Sequence, residues 1–313
     1  MNLSHAYGAP PPPDVAERVL LTALDHGVDF FDTAPLYGFG ANEELLGRAL
    51  KPHRQKFVLA SKCGIFKNAE GGRHVDGSPA TLKKTCEDSL RRLQTDVIDL
   101  YYLHRLDKRV PIEESVGAMA DLVREGKVRA LGLSEMSAAT LRRAHAVHPI
   151  AAMQSEYSLW TRNPEIAVLD ACRELGAGFV AFSPLARAYL CGTLHDPATE
   201  LEAGDIRRGM PRFKAENYAR NRALLTEYAA IAREAGCTMP QLALAWLLAK
   251  DPIVVPIPGT RKPDCVVENL GAVSVRLDAA VVRRLDTLIN ERTVVGARYN
   301  DVAQAEIDTE NFH

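Results

Sequence analysis

The sequence contains four side chains of different chemistry at or just beyond the ends of short apolar stretches. Asp32 closes the run VDFFD, and Tyr37 follows it in a loop bounded by proline and glycine. Lys62 ends the run KFVLASK, and His104 ends DVIDLYYLH. A buried carboxylate is costly unless a cation or a hydrogen-bond donor meets it, so we expect Asp32 to have a partner.

Together these groups could transfer a proton at neutral pH. The pKa of a free tyrosine is near 10, so proton transfer by Tyr37 calls for a shift of about three units, or about 4 kcal/mol. An ammonium at about 4 Å supplies an energy of that order at an effective dielectric constant of about 20, which Lys62 could do if Asp32 keeps it charged. His104 could then hold a carbonyl oxygen toward the tyrosine hydroxyl.

Taken singly, each of the four residues also has a structural interpretation. An aspartate after two aromatic residues is often a cap or a turn former, a loop tyrosine often packs, and a histidine in LYYLHR is often a satisfied core imidazole. Lys62 alone could instead be a Schiff-base nucleophile, as in barrel aldolases. The joint occurrence of the four at consecutive strand ends favours catalysis over these alternatives.

A repeated helix and strand unit would position these side chains. Amphipathic helices alternate with seven short apolar strands, predicted near residues 30, 58, 100, 131, 153, 181 and 255. This pattern is typical of a parallel sheet covered by helices, and its even spacing favours a TIM-type (β/α)8 barrel over a doubly wound sheet. An eighth strand should precede the first helix, where only thirteen residues remain. The sequence therefore predicts an α/β barrel with strand 1 missing or incomplete, and an active site at the C-terminal strand ends.

The same pattern predicts a single domain over residues 1–313. Residues 184–214 form an irregular stretch that is too long for an ordinary connector, so we predict a lid-like loop there. Residues 291–313 are predicted to be a polar C-terminal tail.

Composition narrows the possible partners and the cellular location. Basic and acidic residues nearly balance, at 38 and 40, and no stripe of Lys and Arg occurs, so neither nucleic acid nor a membrane surface is expected as a partner. The six cysteines show neither a CxxC pair nor zinc spacing, so no metal is expected. No signal-peptide pattern or apolar run of membrane length is present, which predicts a cytoplasmic protein.

Seven motifs in order carry a resemblance to a known family: FFDTAPLYGFGANEELLGRAL, LASK, YYLHR, GLSE, MQSEYSLW, FSPL and IPGTRKPDCVVENLG. From about residue 3 to about residue 290 the chain resembles the aldo-keto reductase superfamily, particularly its pyridoxal-reductase or perakine-reductase-like branch. The resemblance implies NADPH-dependent reduction of an aldehyde or ketone to an alcohol. In that reaction Tyr37 would be the general acid, Lys62 and Asp32 would tune it, and His104 would orient the carbonyl.

The resemblance also implies an NADP(H) cofactor bound without a Rossmann motif, and no GxGxxG pattern occurs. Ser134 and Gln154 would meet the carboxamide, and Phe182 would stack on the nicotinamide. The other implied cofactor positions are Ser183, Pro184, Leu185 and Arg187 near the pyrophosphate, and Pro258, Gly259, Thr260, Arg261, Lys262, Glu268 and Asn269 around the adenosine. The adjacent cations Arg261 and Lys262 favour NADP(H) over NAD(H), the alternative being a solvated loop.

Three features depart from the family pattern. Glu135 stands where many members have Asn, which makes it a poor carboxamide ligand, and Cys265 stands where Arg or Gln is common. Members usually open with a hairpin and a first barrel strand, so the short start predicts a mis-assigned initiator or a degraded gene, with activity impaired by truncation. The alternative functions are an NADP(H)-binding redox sensor, like potassium-channel β-subunits, and an inactive barrel. The physiological substrate and the oligomeric state stay open.

Overall fold

The computed structural model describes residues 1–67 and 73–312 of the 313-residue chain. The strands of this part of the chain are β1 Phe30–Asp32, β2 Val58–Cys63, β3 Ile65–Lys67, β4 Arg73–Val75, β5 Ile98–Leu103, β6 Val128–Ser134, β7 Ile150–Glu156, β8 Gly178–Phe182 and β9 Val254–Ile257. The helices that cover them are α1 Pro13–Asp25, α2 Ala41–Leu50, α3 Pro79–Leu93, α4 Ile112–Arg124, α5 Ala138–Val147, α6 Val168–Leu175, α7 Pro197–Glu200, α8 Ala215–Glu234, α9 Met239–Lys250, α10 Pro263–Leu270, α11 Ala279–Leu288 and α12 Asp301–Ala305.

Seven of these strands form one parallel sheet in the order β1, β2, β5, β6, β7, β8 and β9. The helices between consecutive strands pack against their neighbours, α3 against α4 and α4 against α5. The prediction of an α/β barrel with seven parallel strands is confirmed. The sheet is a nearly closed barrel that begins at β1, and residues 1–12 carry turns and bends. Asn2 lies beside the loop after β9, where its Nδ2 atom donates to the carbonyl oxygen of Gly259 at 3.3 Å.

The side chains inside the barrel follow from the period of two along each strand. Ala60, Tyr102, Ala152 and Val180 form one buried cluster between the strands. Because side chains alternate between the two faces of a strand, the residue two positions after each of these points the same way. Those residues are Lys62, His104, Gln154 and Phe182.

Gly132 makes room for one of these inward-facing side chains. A Cβ atom at this position would lie 2.4 Å from the ring of Tyr102, which no real contact allows. The glycine in the motif GLS therefore lets the buried tyrosine ring fit against β6.

Local signals fix the helix ends that bound the barrel. The helix α9 starts at a capping box in which Thr238 accepts from the backbone of Gln241 and the Gln241 side chain accepts from the backbone of Thr238. The Ser137 hydroxyl accepts from the Thr140 N–H at the start of α5. No helix in the described part of the chain combines the length and the apolar character needed to cross a bilayer.

Three segments have structure beyond the strands and helices predicted for the barrel. Residues 68–72 lie outside the described part of the chain, and β3 and β4 pair antiparallel on either side of that gap. Residues 184–214 contain short helical turns as well as α7, and Tyr189 and Leu190 are fully buried there. The C-terminal residues Arg298 and Tyr299 are also buried, so part of the predicted polar tail packs on the barrel.

Candidate active site

An ion pair joins the ends of the two neighbouring strands β1 and β2. The Lys62 ammonium pairs with the Asp32 carboxylate and donates to the carbonyl oxygen of Thr33 at 2.9 Å. Gln154 Nε2, from the end of β7, donates to the other Asp32 oxygen at 2.8 Å. The Lys62 side chain is 0% exposed, so this carboxylate and this ammonium satisfy each other away from water.

Tyr37 lies directly against this ion pair. Lys62 Nζ is 4.9 Å from the centroid of the tyrosine ring, so its charge lies against the phenol. Although burial opposes it, the Asp32 carboxylate together with Tyr37 raises the pKa of Lys62. The lysine is therefore an ammonium at neutral pH, as the sequence analysis expected.

The net effect on Tyr37 differs from the sequence-based expectation. Burial raises the pKa of Tyr37 above its ordinary value, and the Lys62 charge offsets only part of that increase. The Lys62 charge lowers this pKa, which is the direction that the sequence predicts, but burial has the larger effect. Tyr37 is thus a protonated phenol that can donate a proton.

His104 completes the group from the end of β5. Its ring centroid lies 6.1 Å from that of Tyr37, with the two rings nearly perpendicular. Burial, with the nearby charges of Arg105 and Lys62, holds the pKa of His104 well below its usual range. The imidazole is therefore neutral and keeps one N–H for a hydrogen bond to a carbonyl oxygen.

The residues predicted to meet the nicotinamide end lie around this group. Ser134 and Gln154 are register partners at the ends of β6 and β7, and Phe182, the last residue of β8, is the register partner of Glu156 on β7. The Ser134 hydroxyl accepts from Arg105 at 3.3 Å, which leaves its own hydrogen free to donate. The structure thus brings the three predicted residues to the same end of the barrel as Tyr37.

The loop after β8 has an unusual backbone. Ser183, Ala186, Arg187 and Ala188 all have positive φ angles, between 50° and 71°, and Pro184 and Leu185 lie between them. Successive left-handed residues turn backbone N–H groups toward one side, which is a common way to bind phosphate oxygens. The predicted pyrophosphate loop therefore has a suitable backbone.

The side chain of Arg187 is engaged elsewhere. It donates to Glu156 at 2.9 Å and to the hydroxyl groups of Tyr7 and Tyr299 at 3.2 Å each. The backbone of Arg187 is therefore available for the predicted pyrophosphate contact, but its guanidinium is held by other protein groups.

The predicted adenosine site lies at the start of α10. Lys262 is the N-cap residue, its N–H donates to the Thr260 hydroxyl at 3.2 Å, and Arg261 donates to the carbonyl oxygen of Ala9 at 3.0 Å. Neither cation has an ion-pair partner among the described residues. Two unpaired cations and the N-terminus of a helix form a donor set that fits a phosphate.

The remaining adenosine positions follow within the same strand-to-helix segment. Pro258 and Gly259 connect β9 to α10, and Asn269 is buried on that helix. The carbonyl oxygen of Glu268 accepts from Gln241 at 2.9 Å, which ties α10 to α9.

A second buried charge cluster was missed by the sequence analysis. Arg298 donates to Glu135 at 2.7 Å and to Glu156 at 3.0 Å, and Arg187 pairs with the same Glu156 oxygen. Glu135 is fully buried and has a φ of 56°. We call Glu135, Glu156, Arg187 and Arg298 the tail cluster. No sequence signal marked it, because Arg298 is one of many arginines and lies beyond the last periodic helix.

Within the described residues no group of three or more His, Cys, Asp or Glu side chains is arranged to hold a metal ion. The cationic and hydroxyl donors around the barrel mouth suit an anionic organic cofactor instead.

The chain is therefore a parallel α/β barrel that carries Asp32, Tyr37, Lys62 and His104 at the C-terminal ends of its strands. Residues 1–290 match the model of the aldo/keto reductase family, and the chain belongs to that family. The match begins at residue 1, and it gives no support to the expectation that a short start impairs activity.

Two curated relatives are similar over nearly the whole chain. The probable aldo-keto reductase 1 of Glycine max is 42% identical over 300 residues, covering 96% of this chain and 86% of its own length. The NADP(+) aldo-keto reductase yakc of Schizosaccharomyces pombe is 42% identical over 309 residues, covering 97% of this chain and 91% of its own.

Solved structures share the fold. The glycerol dehydrogenase AKR11B4 of Gluconobacter oxydans has a TM-score of 0.82 and 32% identity, covering 90% of this chain and 88% of its own. An aldo/keto reductase of Klebsiella pneumoniae, in complex with NADP and acetate, has a TM-score of 0.71 and 29% identity, covering 92% and 89%.

Proposed function

We propose that this chain reduces an aldehyde or ketone to an alcohol with NADPH, using Tyr37 as the general acid. The observation that carries the proposal is the assembly of a protonated Tyr37, a neutral His104 and the Asp32–Lys62 ion pair at one end of the barrel. We further propose that residues 1–313 act as one catalytic domain.

Each of the four side chains has a distinct part in the proposed step. The neutral His104 donates a hydrogen bond to the substrate carbonyl oxygen and directs it toward the Tyr37 hydroxyl. As negative charge develops on that oxygen, Tyr37 transfers its proton to it. The ammonium of Lys62 stabilises the tyrosinate that is left, and Asp32 keeps the ammonium in place.

NADP(H) is the cofactor that the donor set and the relatives favour. When bound, the reduced nicotinamide supplies the hydride. Ser134 and Gln154 offer hydrogen-bonding groups for the carboxamide, Phe182 offers an aromatic face, and the start of α10 offers two cations for the additional phosphate. The yakc relative and the Klebsiella structure are both described with NADP, which agrees with this choice.

The test compares wild type with Tyr37→Phe in NADPH oxidation with a panel of aromatic and aliphatic aldehydes. We expect kcat to fall by about 10²- to 10⁴-fold, because the proposed general acid is removed. NADPH affinity, measured by fluorescence titration, should stay within about twofold, since the phenol hydroxyl is not a phosphate or adenine contact.

Tyr228→Phe is the matched control, because it removes a buried hydroxyl that donates to the carbonyl of Met239 on the helical side of the barrel. Its kcat should resemble that of wild type. Tight NADPH binding with equal and negligible turnover in wild type and Tyr37→Phe would instead favour a redox sensor. A Schiff-base aldolase is disfavoured by the raised pKa of Lys62, since burial is outweighed there by Asp32 and the amine stays protonated.

A further inference from the structure

Arg105, the residue directly after His104, is a buried cation without a carboxylate partner among the described residues. It is 8% exposed, and its Nη1 donates to the carbonyl of His104 at 2.6 Å and to Ser134 Oγ at 3.3 Å. Its Nε is buried with no hydrogen-bond partner in the described part of the chain. Removing a charge from water is expensive unless an opposite charge and hydrogen bonds replace the lost hydration.

Two other buried arginines show how this chain meets that cost elsewhere. Arg187 pairs with Glu156 at 2.9 Å, and Arg298 pairs with both Glu135 and Glu156. Arg105 differs from both, because the hydrogen bonds that it makes go to neutral oxygens. Because Arg105 has no carboxylate partner among the described residues, its charge is available to a bound anion.

The charge of Arg105 acts on the reacting end of the barrel. After burial, it is the largest cause that holds the pKa of His104 below its usual range, and it also opposes the effect of burial on the pKa of Tyr37. Burial and the nearby charge of Arg105 together lower the pKa of Arg73, which lies on β4. Arg73 itself pairs with Glu306 of the C-terminal segment. The surplus cation beside the catalytic group is thus Arg105.

We propose that Arg105 binds a carboxylate carried by the carbonyl substrate. The proposal rests on the proposed function and adds the class of substrate, an aldehyde or ketone that also bears an acid group. The Nε and Nη2 hydrogens lie along one edge of the guanidinium. Two parallel hydrogen bonds from such an edge can bind both oxygens of a carboxylate. The cofactor phosphates are predicted at residues 183–187 and 260–262, so they do not supply this anion.

The test uses three aldehydes, 2-, 3- and 4-carboxybenzaldehyde, and the methyl ester of each. For wild type we expect kcat/KM for at least one acid to exceed that for its ester by about 10- to 100-fold, the range for charge-assisted hydrogen bonds. In Arg105→Gln the acid-to-ester ratio should fall to about one. Arg105→Lys, which keeps the charge without the paired donors, should give an intermediate ratio.

Two outcomes would overturn the proposal. One is that no acid exceeds its ester in wild type. The other is that Arg105→Gln slows the acid and the ester equally and keeps their ratio, with a changed pH profile. That result would make Arg105 a positioning residue for His104.

Binding separates failure of this proposal from failure of the proposed function. If wild type reduces none of the aldehydes, benzoate and benzamide are compared by the increase in Tm that they cause with NADPH present. A larger increase with benzoate that disappears in Arg105→Gln would keep the anion site and reject the reductase. Equal increases with the two compounds would reject the anion site as well.

Discussion

The mouth of the barrel holds two buried clusters that both contain ion pairs but serve different functions. The catalytic cluster of Asp32, Tyr37, Lys62 and His104 contains one ion pair and two neutral groups that can donate protons. The tail cluster contains two carboxylates and two guanidinium groups bound to one another. One cluster keeps hydrogen-bonding capacity for a substrate, and the other uses most of its charge to hold the C-terminal segment against β6 and β7.

The electrostatics of the two clusters differ accordingly. In the tail cluster, burial works against ionisation, but Arg187 and Arg298 outweigh it and lower the pKa of Glu156 to about 2. Glu156 is therefore charged at any working pH. In the catalytic cluster, burial raises the pKa of Tyr37 and keeps its proton in place. The tail cluster uses most of its charge in internal ion pairs, whereas the catalytic cluster keeps groups that can take part in proton transfer.

The largest expected effect comes from breaking the catalytic pair with Lys62→Met. Asp32 would lose its cation and the tyrosinate formed during reduction would lose its stabilising charge, so we expect kcat to fall by about 10²- to 10⁴-fold. The same change leaves a buried carboxylate unpaired and should lower the free energy of unfolding by about 3 to 5 kcal/mol. Single-turnover reduction and urea unfolding measure the two effects.

Lys84→Met provides the control for that comparison. Lys84 pairs with Asp88 on the outside of α3, and its side chain is 74% exposed. Both kcat and stability should stay close to wild type, since an exposed pair contributes little. If Lys62→Met kept full turnover, the ion pair would be structural only and Tyr37 would not depend on it.

Breaking the tail cluster with Arg298→Leu should act on stability. Glu135 and Glu156 would each lose a guanidinium, and we expect a loss of about 3 kcal/mol in the free energy of unfolding at neutral pH. Because the folded pKa of Glu156 is lowered, its stabilising contribution is present above the unfolded value of about 4.5 and is lost as pH falls toward 2. The difference between variant and wild type should therefore shrink on acidification through that window.

Urea unfolding at several pH values checks this expectation, with Arg292→Leu as the control. Arg292 is 89% exposed and its contact with Glu291 is 3.6 Å long, so its removal should change little at any pH. A difference for Arg298→Leu that stayed constant from neutral to acidic pH would mean that Glu156 does not respond to this arginine.

The contrast between the clusters also explains what the sequence could predict. Asp32, Lys62 and His104 end consecutive strands of the sheet, and parallel strands bring such ends together, so a local pattern was enough to group them. The seven strands could be found for the same reason, because each is a short apolar run between amphipathic helices.

The tail cluster had no such pattern. Arg298 meets Glu135 across 163 positions in sequence, and neither side chain stands in a periodic element that would mark the other. The net pKa of Tyr37 could not be predicted from the sequence for a related reason. The charge of Lys62 can be read from the sequence, but the extent of burial depends on the whole packed fold, and here burial is the larger contribution.

The smallest expected effect concerns another contact of the C-terminal segment, at the start of α5. Asp308 Oδ2 accepts from Ser137 Oγ at 2.9 Å and from Thr140 Oγ1 at 2.6 Å, close to the positive end of the helix. Asp308→Ala should lower the free energy of unfolding by about 1 kcal/mol, because Ser137 still caps the helix through its contact with the Thr140 N–H.

Urea unfolding of Asp308→Ala, alone and combined with Arg298→Leu, measures how the two anchors of the segment are linked. Asp301→Ala, in the exposed first turn of α12, is the matched control and should have almost no effect. If the two anchors hold one packed segment, the double variant should lose less than the sum of the single losses, since the segment is already released once Arg298 is gone. Strict additivity would mean that Asp308 stabilises α5 independently of the contacts made by the tail cluster.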